Sequence, residues 1–191
     1  MNETITYYNQ NAEEYFNKTV NVSMQELYDQ FEAYLKPGDK ILDLGCGSGR
    51  DSRYFLLKGY DVVSVDGSKA MCNLAETYIG KEVRNITFEK LDYDNEFDAV
   101  WACASLVHVD LGEITDVLFR IQRALKKKGI LYASWKYGKG ERIENQKYYA
   151  DYDEERINNL FSDASIKVAK IWISDDNLIR ASKWLNVIGE K

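Results

Sequence analysis

Leu42-Asp43-Leu44-Gly45-Cys46-Gly47-Ser48-Gly49-Arg50 is an apolar run that breaks into three alternating glycines, and helix-like sequence follows it. A short run of this kind, entered through Lys40-Ile41, reads as a buried strand of a parallel sheet. Alternating glycines after such a strand let the backbone approach a ligand closely. The spacing argues against two nucleotide sites. A dinucleotide turn, G-x-G-x-x-G, wants its third glycine one residue later, where Arg50 stands. The phosphate-cradling pattern G-x-x-x-x-G-K-S/T occurs nowhere in the chain.

Working outward, Arg50 to Lys58 predicts a helix stopped by Gly59, and the β-branched run Asp61 to Val65 predicts a second strand ending at Asp66-Gly67. A helix from Ser68 to Gly80 carries Met71, Leu74 and Ala75 on one side. Strands over Ile86–Glu89, Phe97–Ala102 and Ile130–Trp135, with a helix over Glu113–Leu125, continue the alternation. Repeated βα units imply a parallel sheet covered on both faces. Ile166–Ile173 and Leu178–Ile188 read as two last strands. The intervening Ser174-Asp175-Asp176-Asn177 suits a hairpin and is too short for a crossover, so the sheet should close on an antiparallel edge.

Before the first strand, Tyr7–Phe16 and Met24–Leu35 (Leu27, Phe31, Tyr34 and Leu35 at helical spacing) predict two helices, stopped at Pro37-Gly38-Asp39. The expected architecture is α/β: a Rossmann-like, doubly wound, mostly parallel seven-stranded sheet with an antiparallel C-terminal edge hairpin and N-terminal cap helices. One domain spans 1–191, with 1–38 as the helical cap and 39–191 as the core. Residues 136–153, polar and tyrosine-rich, predict a mobile loop of the kind that covers a site.

Composition narrows the function classes. The 191 residues are 45% hydrophobic and 29% charged, with one proline, which is the profile of a globular chain. A net charge of −6 and the absence of a basic arm argue against a nucleic-acid footprint. Cys46, Cys72 and Cys103 fit neither a zinc spacing nor a disulfide framework. Those cysteines, the absence of an export-like start and the lack of any apolar stretch of about 18 residues lead us to expect a cytoplasmic protein with no membrane partner.

About 20 residues beyond the glycines, Asp66 ends the second strand, where a carboxylate can accept hydrogen bonds from both hydroxyls of a ribose. With Asp43–Gly49 and Asp66-Gly67-Ser68-Lys69-Ala70-Met71, the chain resembles the class I S-adenosylmethionine-dependent methyltransferase family. The resemblance continues through Phe88–Asp92, Phe97–Ala102 and Ala124–Leu131, and so covers almost the whole chain. Gly49-Arg50-Asp51-Ser52 is similar to the tellurite-resistance and related small-molecule methyltransferases. Lys127-Lys128-Gly129 departs from the family's usual Pro-Gly or Gly-Gly pair, which affects a turn rather than the chemistry.

The resemblance implies S-adenosylmethionine as cofactor. Gly45, Gly47 and Gly49 would pack against its methionine and ribose, Asp43 would orient the turn and the cofactor's amino group, and Asp66 with Gly67 would hold the ribose. The alternatives are a tight βα turn without ligand and, for Asp66, a helix N-cap, which is compatible with ribose binding. Met71 lies either against adenine or in the core. Asp92 would accept from the adenine amino group with Tyr93 beside it, or both belong to a solvated acidic loop. Ala102 would end the fourth strand under the cofactor, with Cys103 as a small buried neighbour rather than a nucleophile. Tyr15, with Tyr7 and Tyr8, offers an aromatic face to a sulfonium or packs an N-terminal helix.

His108 is the chain's only histidine, three residues past Ser105 and beyond the fourth strand on the side where ligands bind. It is the candidate catalytic base, or else an imidazole satisfied by structure. A soft acceptor such as a thiolate or chalcogen oxyanion needs proximity and in-line geometry more than a base. The sequence therefore points to methyl transfer onto a small-molecule acceptor with release of S-adenosylhomocysteine. RNA or protein methylation, a cofactor-binding module without turnover, and a nicotinamide oxidoreductase are the other readings. Oligomeric state is not legible, because Trp172 and Trp184 suit a core or an exposed edge equally.

Overall fold

Strand β1 (Lys40–Leu44) lies in mid-sheet and is buried from Ile41 to Leu44. It pairs in parallel with β2 (Asp61–Asp66) on one side and β4 (Phe97–Ala102) on the other. Beyond β2 lies the short β3 (Val83–Asn85); beyond β4 come β5 (Leu125–Lys136), then β9 (Lys183–Glu190) and β8 (Lys167–Asp175), the last two antiparallel. The sheet order is β3-β2-β1-β4-β5-β9-β8. The chain winds from β1 outward to β2 and β3, then returns to β4, so a crevice opens at the carboxyl ends of β1 and β4. The computed structural model describes residues 2–176 and 182–191; the start expected for the last strand, residues 178–181, lies outside them.

Side chains alternate across the sheet. Ile41 packs with Phe55, Ala99, Trp101 and Tyr132 under α3 (Gln25–Glu32), whose Leu27, Tyr28 and Phe31 are buried. Leu42 and Leu44 face the other way, onto a layer with α6 (Ile114–Ala124) and α7 (Glu154–Asp163). This period of two forces a run such as Ile41-Leu42 to be apolar on both faces. Helices α4 (Arg50–Leu57) and α5 (Lys69–Ile79) connect β1 to β2 and β2 to β3. Ser68 caps α5 by accepting from Met71 N–H, and Gly80 ends it.

Three local departures from the sequence reading matter for the site. The third strand falls at Val83–Asn85, ahead of Ile86–Glu89, because Val83 is the buried residue that pairs with Ser64. Phe88–Lys90 instead forms a single 3-10 turn at the crevice. The N-terminal segment makes α1 (Asn2–Gln10) and α2 (Ala12–Thr19) ahead of α3, with a break at Asn11. Residues 136–153 are not a loop: β6 (Gly140–Glu144) and β7 (Lys147–Asp151) form a hairpin. Asn145 and Gln146 turn it, both at positive φ (49° and 61°), which suits the twist of a two-residue connection. No helix among the described residues is long and apolar enough to cross a membrane.

Candidate functional site: two cavities that share a wall

The glycine turn leaves β1 under tight control. Gly45 and Cys46 N–H both donate to the Val65 carbonyl of β2, at 2.9 and 3.0 Å. Each glycine then serves a different contact. A Cβ on Gly45 would lie 2.5 Å from Ser105 Cβ, and one on Gly49 would lie 2.7 Å from Ile79 Cδ1 of α5. At Gly47 the nearest heavy atom would be the Tyr15 ring at 3.5 Å, an ordinary contact, so a Cβ there meets no clash. Gly45 and Gly47 line the cleft, whereas Gly49 closes the packing of α4 on α5.

Asp66 ties the turn to the next unit. Its Oδ2 accepts from Gly47 N–H at 2.9 Å and its Oδ1 from Ser68 N–H at 2.8 Å. Burial raises its pKa and these two hydrogen bonds oppose the rise. Each oxygen keeps acceptor capacity beyond its one backbone bond. Behind the turn, Asp43 is buried and accepts from Ser52 Oγ at 2.5 Å, and that hydroxyl also meets Ser64 Oγ at 2.7 Å. Burial, then the nearby charge of Asp51, raises the Asp43 pKa. Asp51 stays ionised, its pKa lowered against burial by Arg50 and by hydrogen bonds from Tyr28 and Trp101.

A cleft partly open to solvent lies above these groups. Of the residues singled out from the sequence, Tyr15, Gly45, Gly47, Asp66, Gly67 and Met71 line it. Asp43, Gly49 and Ala102 stand behind its wall. Asp92 turns outward, its carboxylate 89% exposed and paired with Arg123. Tyr93 packs edge-on against Phe97 and accepts from Arg84, also away from the cleft. From the same segment it is Thr87 and Phe88, just after the early end of β3, that line the cleft. Sequence reasoning also missed Thr4 and Ile5 of α1, since nothing local says that this helix will cover β-strand ends 60 residues away.

Helix α1 is pinned there by identifiable bonds. Asn9 Oδ1 accepts from Ser68 Oγ and Ala70 N–H, at 2.7 and 3.1 Å, beside the start of α5. Thr4 Oγ1 accepts from Tyr148 N–H of β7 at 3.1 Å. Between these anchors Tyr8 meets His108, with Tyr8 Oη 3.0 Å from His108 Nε2. His108 follows β4 in a second 3-10 turn, Leu106–His108, and its Nδ1 lies 2.7 Å from the Tyr148 carbonyl. A carbonyl only accepts, so Nδ1 carries the hydrogen and Nε2 accepts from Tyr8. Burial, assisted by the Lys147 charge, pushes the His108 pKa down to about 4.

On the far side of Tyr8 opens a second, wider cavity of about 1580 Å³, partly open to solvent. Tyr8, Tyr15, Cys103, Ala104 and His108 belong to both cavities and form the shared wall. The second cavity runs down to Ser134, Lys136, Trp184 and Asn186 on β5 and β9. Three of its cations are matched by acids: Lys18 by Glu14, Arg50 by Asp51, and Lys136 by Asp176. Lys147 sits over the Tyr7 ring at 4.6 Å. Burial and the Asp51 charge push the Cys103 thiol up to about 12, so it stays protonated and inert. No group of metal-ligating side chains occurs among the described residues.

Comparison with known proteins agrees with this geometry. The family described as "Methyltransferase domain" matches residues 42–133, which run from β1 into β5 and include Cys103, Ala104 and His108 of the shared wall. The chain is 29% identical over 147 residues to the methyltransferase YqeM of Bacillus subtilis, covering 67% of this chain and 57% of that one. It is 39% identical over 83 residues to the S-adenosylmethionine-dependent methyltransferase TehB of Haemophilus influenzae, covering 43% and 28%. The chain spans about half the length of the first curated relatives it matches. Among solved structures it is similar to 1,6-didemethyltoxoflavin-N1-methyltransferase of Burkholderia thailandensis, with TM-score 0.79 and 22% identity, over 98% of this chain and 84% of that one. That structure holds S-adenosylhomocysteine and 1,6-didemethyltoxoflavin; at this identity the likeness establishes the fold. Residues 42–133 thus match a methyltransferase domain, and the chain has the class I methyltransferase fold.

The residues present fit the family's cofactor. Gly47 leaves space that a side chain would fill, Asp66 offers acceptors at a strand's carboxyl end, and Ser105 Oγ is buried without a partner beside Gly45.

Proposed function

We propose that the chain transfers a methyl group from S-adenosylmethionine to a small-molecule acceptor held in the second cavity. The observation that carries this reading is the shared wall: two cavities of different character meet at Tyr8, Tyr15, Cys103, Ala104 and His108. Methyl transfer needs donor and acceptor to approach in line across such a junction. S-adenosylmethionine supplies a methyl group activated by its sulfonium, so the protein's task is binding and orientation. Gly45, Gly47, Asp66, Gly67, Met71 and Tyr15 would hold it, with Asp43, Gly49 and Ala102 shaping the turn from behind. Asp92 and Tyr93 are left out of this set because both face away from the cleft.

A compact acceptor is favoured over RNA by charge. The second cavity matches three of its cations with carboxylates, and the chain carries −6 overall, whereas phosphate backbones are held by clusters of uncompensated Lys and Arg. The test combines calorimetric titration with S-adenosylhomocysteine and detection of its release from S-adenosylmethionine, with a cell extract split into low- and high-molecular-weight fractions. Saturable binding and release with the small-molecule fraction is the expected result. Release with macromolecules alone would assign an RNA or protein acceptor, and binding without release would leave a cofactor-binding module.

A further inference from the structure

Resting on that reading, we propose that Tyr8, with its hydroxyl hydrogen committed to His108, accepts the hydrogen of the acceptor's attacking atom and relays a proton to His108 Nε2, so that the acceptor is a hydroxyl or a conjugated ring N–H. The direction of the relay follows from one bond. Because the Tyr148 carbonyl fixes the hydrogen on Nδ1, Nε2 is bare and Tyr8 donates to it at 3.0 Å. The Tyr8 oxygen is then left with lone pairs only, on a residue that lines both cavities. A group arriving between the cavities meets an acceptor at Tyr8.

Other candidates for this task at the shared wall are absent among the described residues. Cys103 is held protonated by burial, Ala104 has no titratable group, and burial raises the pKa of Tyr15. Tyr8 is also rigid, which a relay requires. Its ring meets Tyr15 edge-on at 4.9 Å and Tyr7 at 5.6 Å, and α1 is bonded at Thr4 and Asn9 on either side. The groups facing the His108 ring are Tyr8 from α1, and Lys147, Tyr149 and the Tyr148 carbonyl from β7.

The proton balance is simple. The acceptor's O–H or ring N–H bond breaks and leaves its electron pair on the attacking atom, which forms the bond to the methyl carbon as the methyl–sulfur bond breaks with its pair staying on sulfur to give S-adenosylhomocysteine; Tyr8 Oη gains the proton as its own passes to His108 Nε2, which becomes imidazolium. A buried imidazole beside Lys147 is a weak base, and that weakness selects the acceptor. Oxygen or a delocalised ring nitrogen becomes strongly acidic as it gains a methyl group, and a weak base suffices to take its proton. A thiolate has no proton to give, and a simple amine leaves as a stable ammonium without help.

The experiment uses Tyr8→Phe in the full chain and exploits the single histidine. With 15N-labelled histidine, the wild type is expected to show a protonated Nδ1 and a bare Nε2 at pH 7, and the Nε2 signal moves toward that of an unbonded nitrogen in Tyr8→Phe. S-adenosylhomocysteine affinity and melting temperature stay near wild type, while turnover with the small-molecule extract fraction falls about 100-fold in kcat rather than KM. With a 13C-methyl donor, the product methyl is expected on oxygen or ring nitrogen. A hydrogen on Nε2, full turnover by Tyr8→Phe, a parallel loss of S-adenosylhomocysteine affinity, or a methyl on sulfur or another chalcogen would each overturn the relay. Failure of the wild type to bind S-adenosylhomocysteine, or to release it with either fraction, would instead overturn the methyl-transfer reading and the relay with it.

Discussion

The two cavities sit side by side, yet they are built in opposite ways. The cofactor-side floor comes from consecutive units: Gly45, Gly47, Asp66, Gly67 and Met71 fall within one stretch of chain, joined by the Gly47–Asp66 bond. The acceptor side is gathered from distant segments. Tyr8 and His108 are 100 positions apart, and Thr4 meets Tyr148 across 144. A floor made by one βα turn is dictated by backbone geometry and is shared wherever that turn occurs. A wall made by long-range packing is free to differ, and on the proposed reading it is this wall that would select the acceptor.

Substitutions can break this contrast, beginning with the largest effect. Gly49→Val places a Cβ 2.7 Å from Ile79 Cδ1 at a residue with φ +76°, combining overpacking with backbone strain, and is expected to lower stability by about 3 kcal/mol or more in urea unfolding. Gly47→Val shares the backbone strain (φ +53°) but its Cβ meets no atom closer than 3.5 Å, so it is expected to lose less stability than Gly49→Val while losing S-adenosylhomocysteine binding in titration. If both variants fail in the same way, the three glycines do not divide their roles as described.

The next prediction lies on the acceptor side. The His108 pKa falls from 6.5 unfolded to about 4 folded, so between these values the unfolded chain binds more protons. Stability from this residue is complete above pH 6.5 and is lost as pH falls toward 4, a change of roughly 3 kcal/mol. His108→Gln should flatten the pH dependence of urea unfolding in that window. An unchanged slope would mean that the imidazole is not held neutral in the wall.

Asp66→Asn tests the cofactor floor more gently. Loss of charge where two backbone N–H groups already converge is expected to weaken S-adenosylhomocysteine binding by about 10- to 100-fold, the range for hydrogen bonds to a charged group. The smallest effect is expected at Asp92, whose carboxylate is 89% exposed. Asp92→Asn should change affinity by less than about twofold and stability by no more than about 0.5 kcal/mol. A large loss of affinity would restore Asp92 to the adenine end of the cleft.

The misplacement of Asp92 shows where reading by pattern fails. The glycine turn and Asp66 are legible because close backbone approach requires glycine and because a strand's last residue has a fixed position relative to the crevice. The segment after β3 has no such constraint. Its strand is set by whether Val83 or Ile86 finds burial beside β2, and the sheet, not the local sequence, decides that. The hairpin over residues 140–151 escaped notice for a related reason, since Asn145-Gln146 is a weaker turn signal than Asn-Gly and the strands alternate only loosely.

By itself the sequence determined the α/β alternation, the glycine turn with its acidic partner, the antiparallel close of the sheet and the class of cofactor. The first three follow from short-range rules, side-chain period, glycine spacing and loop length, whereas the cofactor class came from the resemblance of those motifs to a known family. Only the tertiary structure decided that α1 would lie across the crevice, that Tyr8 would reach His108, and that a carbonyl of β7 would set the histidine's tautomer. Those contacts join residues that no local pattern relates, and they form because burying the aromatic face of α1 against β7 and the turn after β4 removes apolar surface from water.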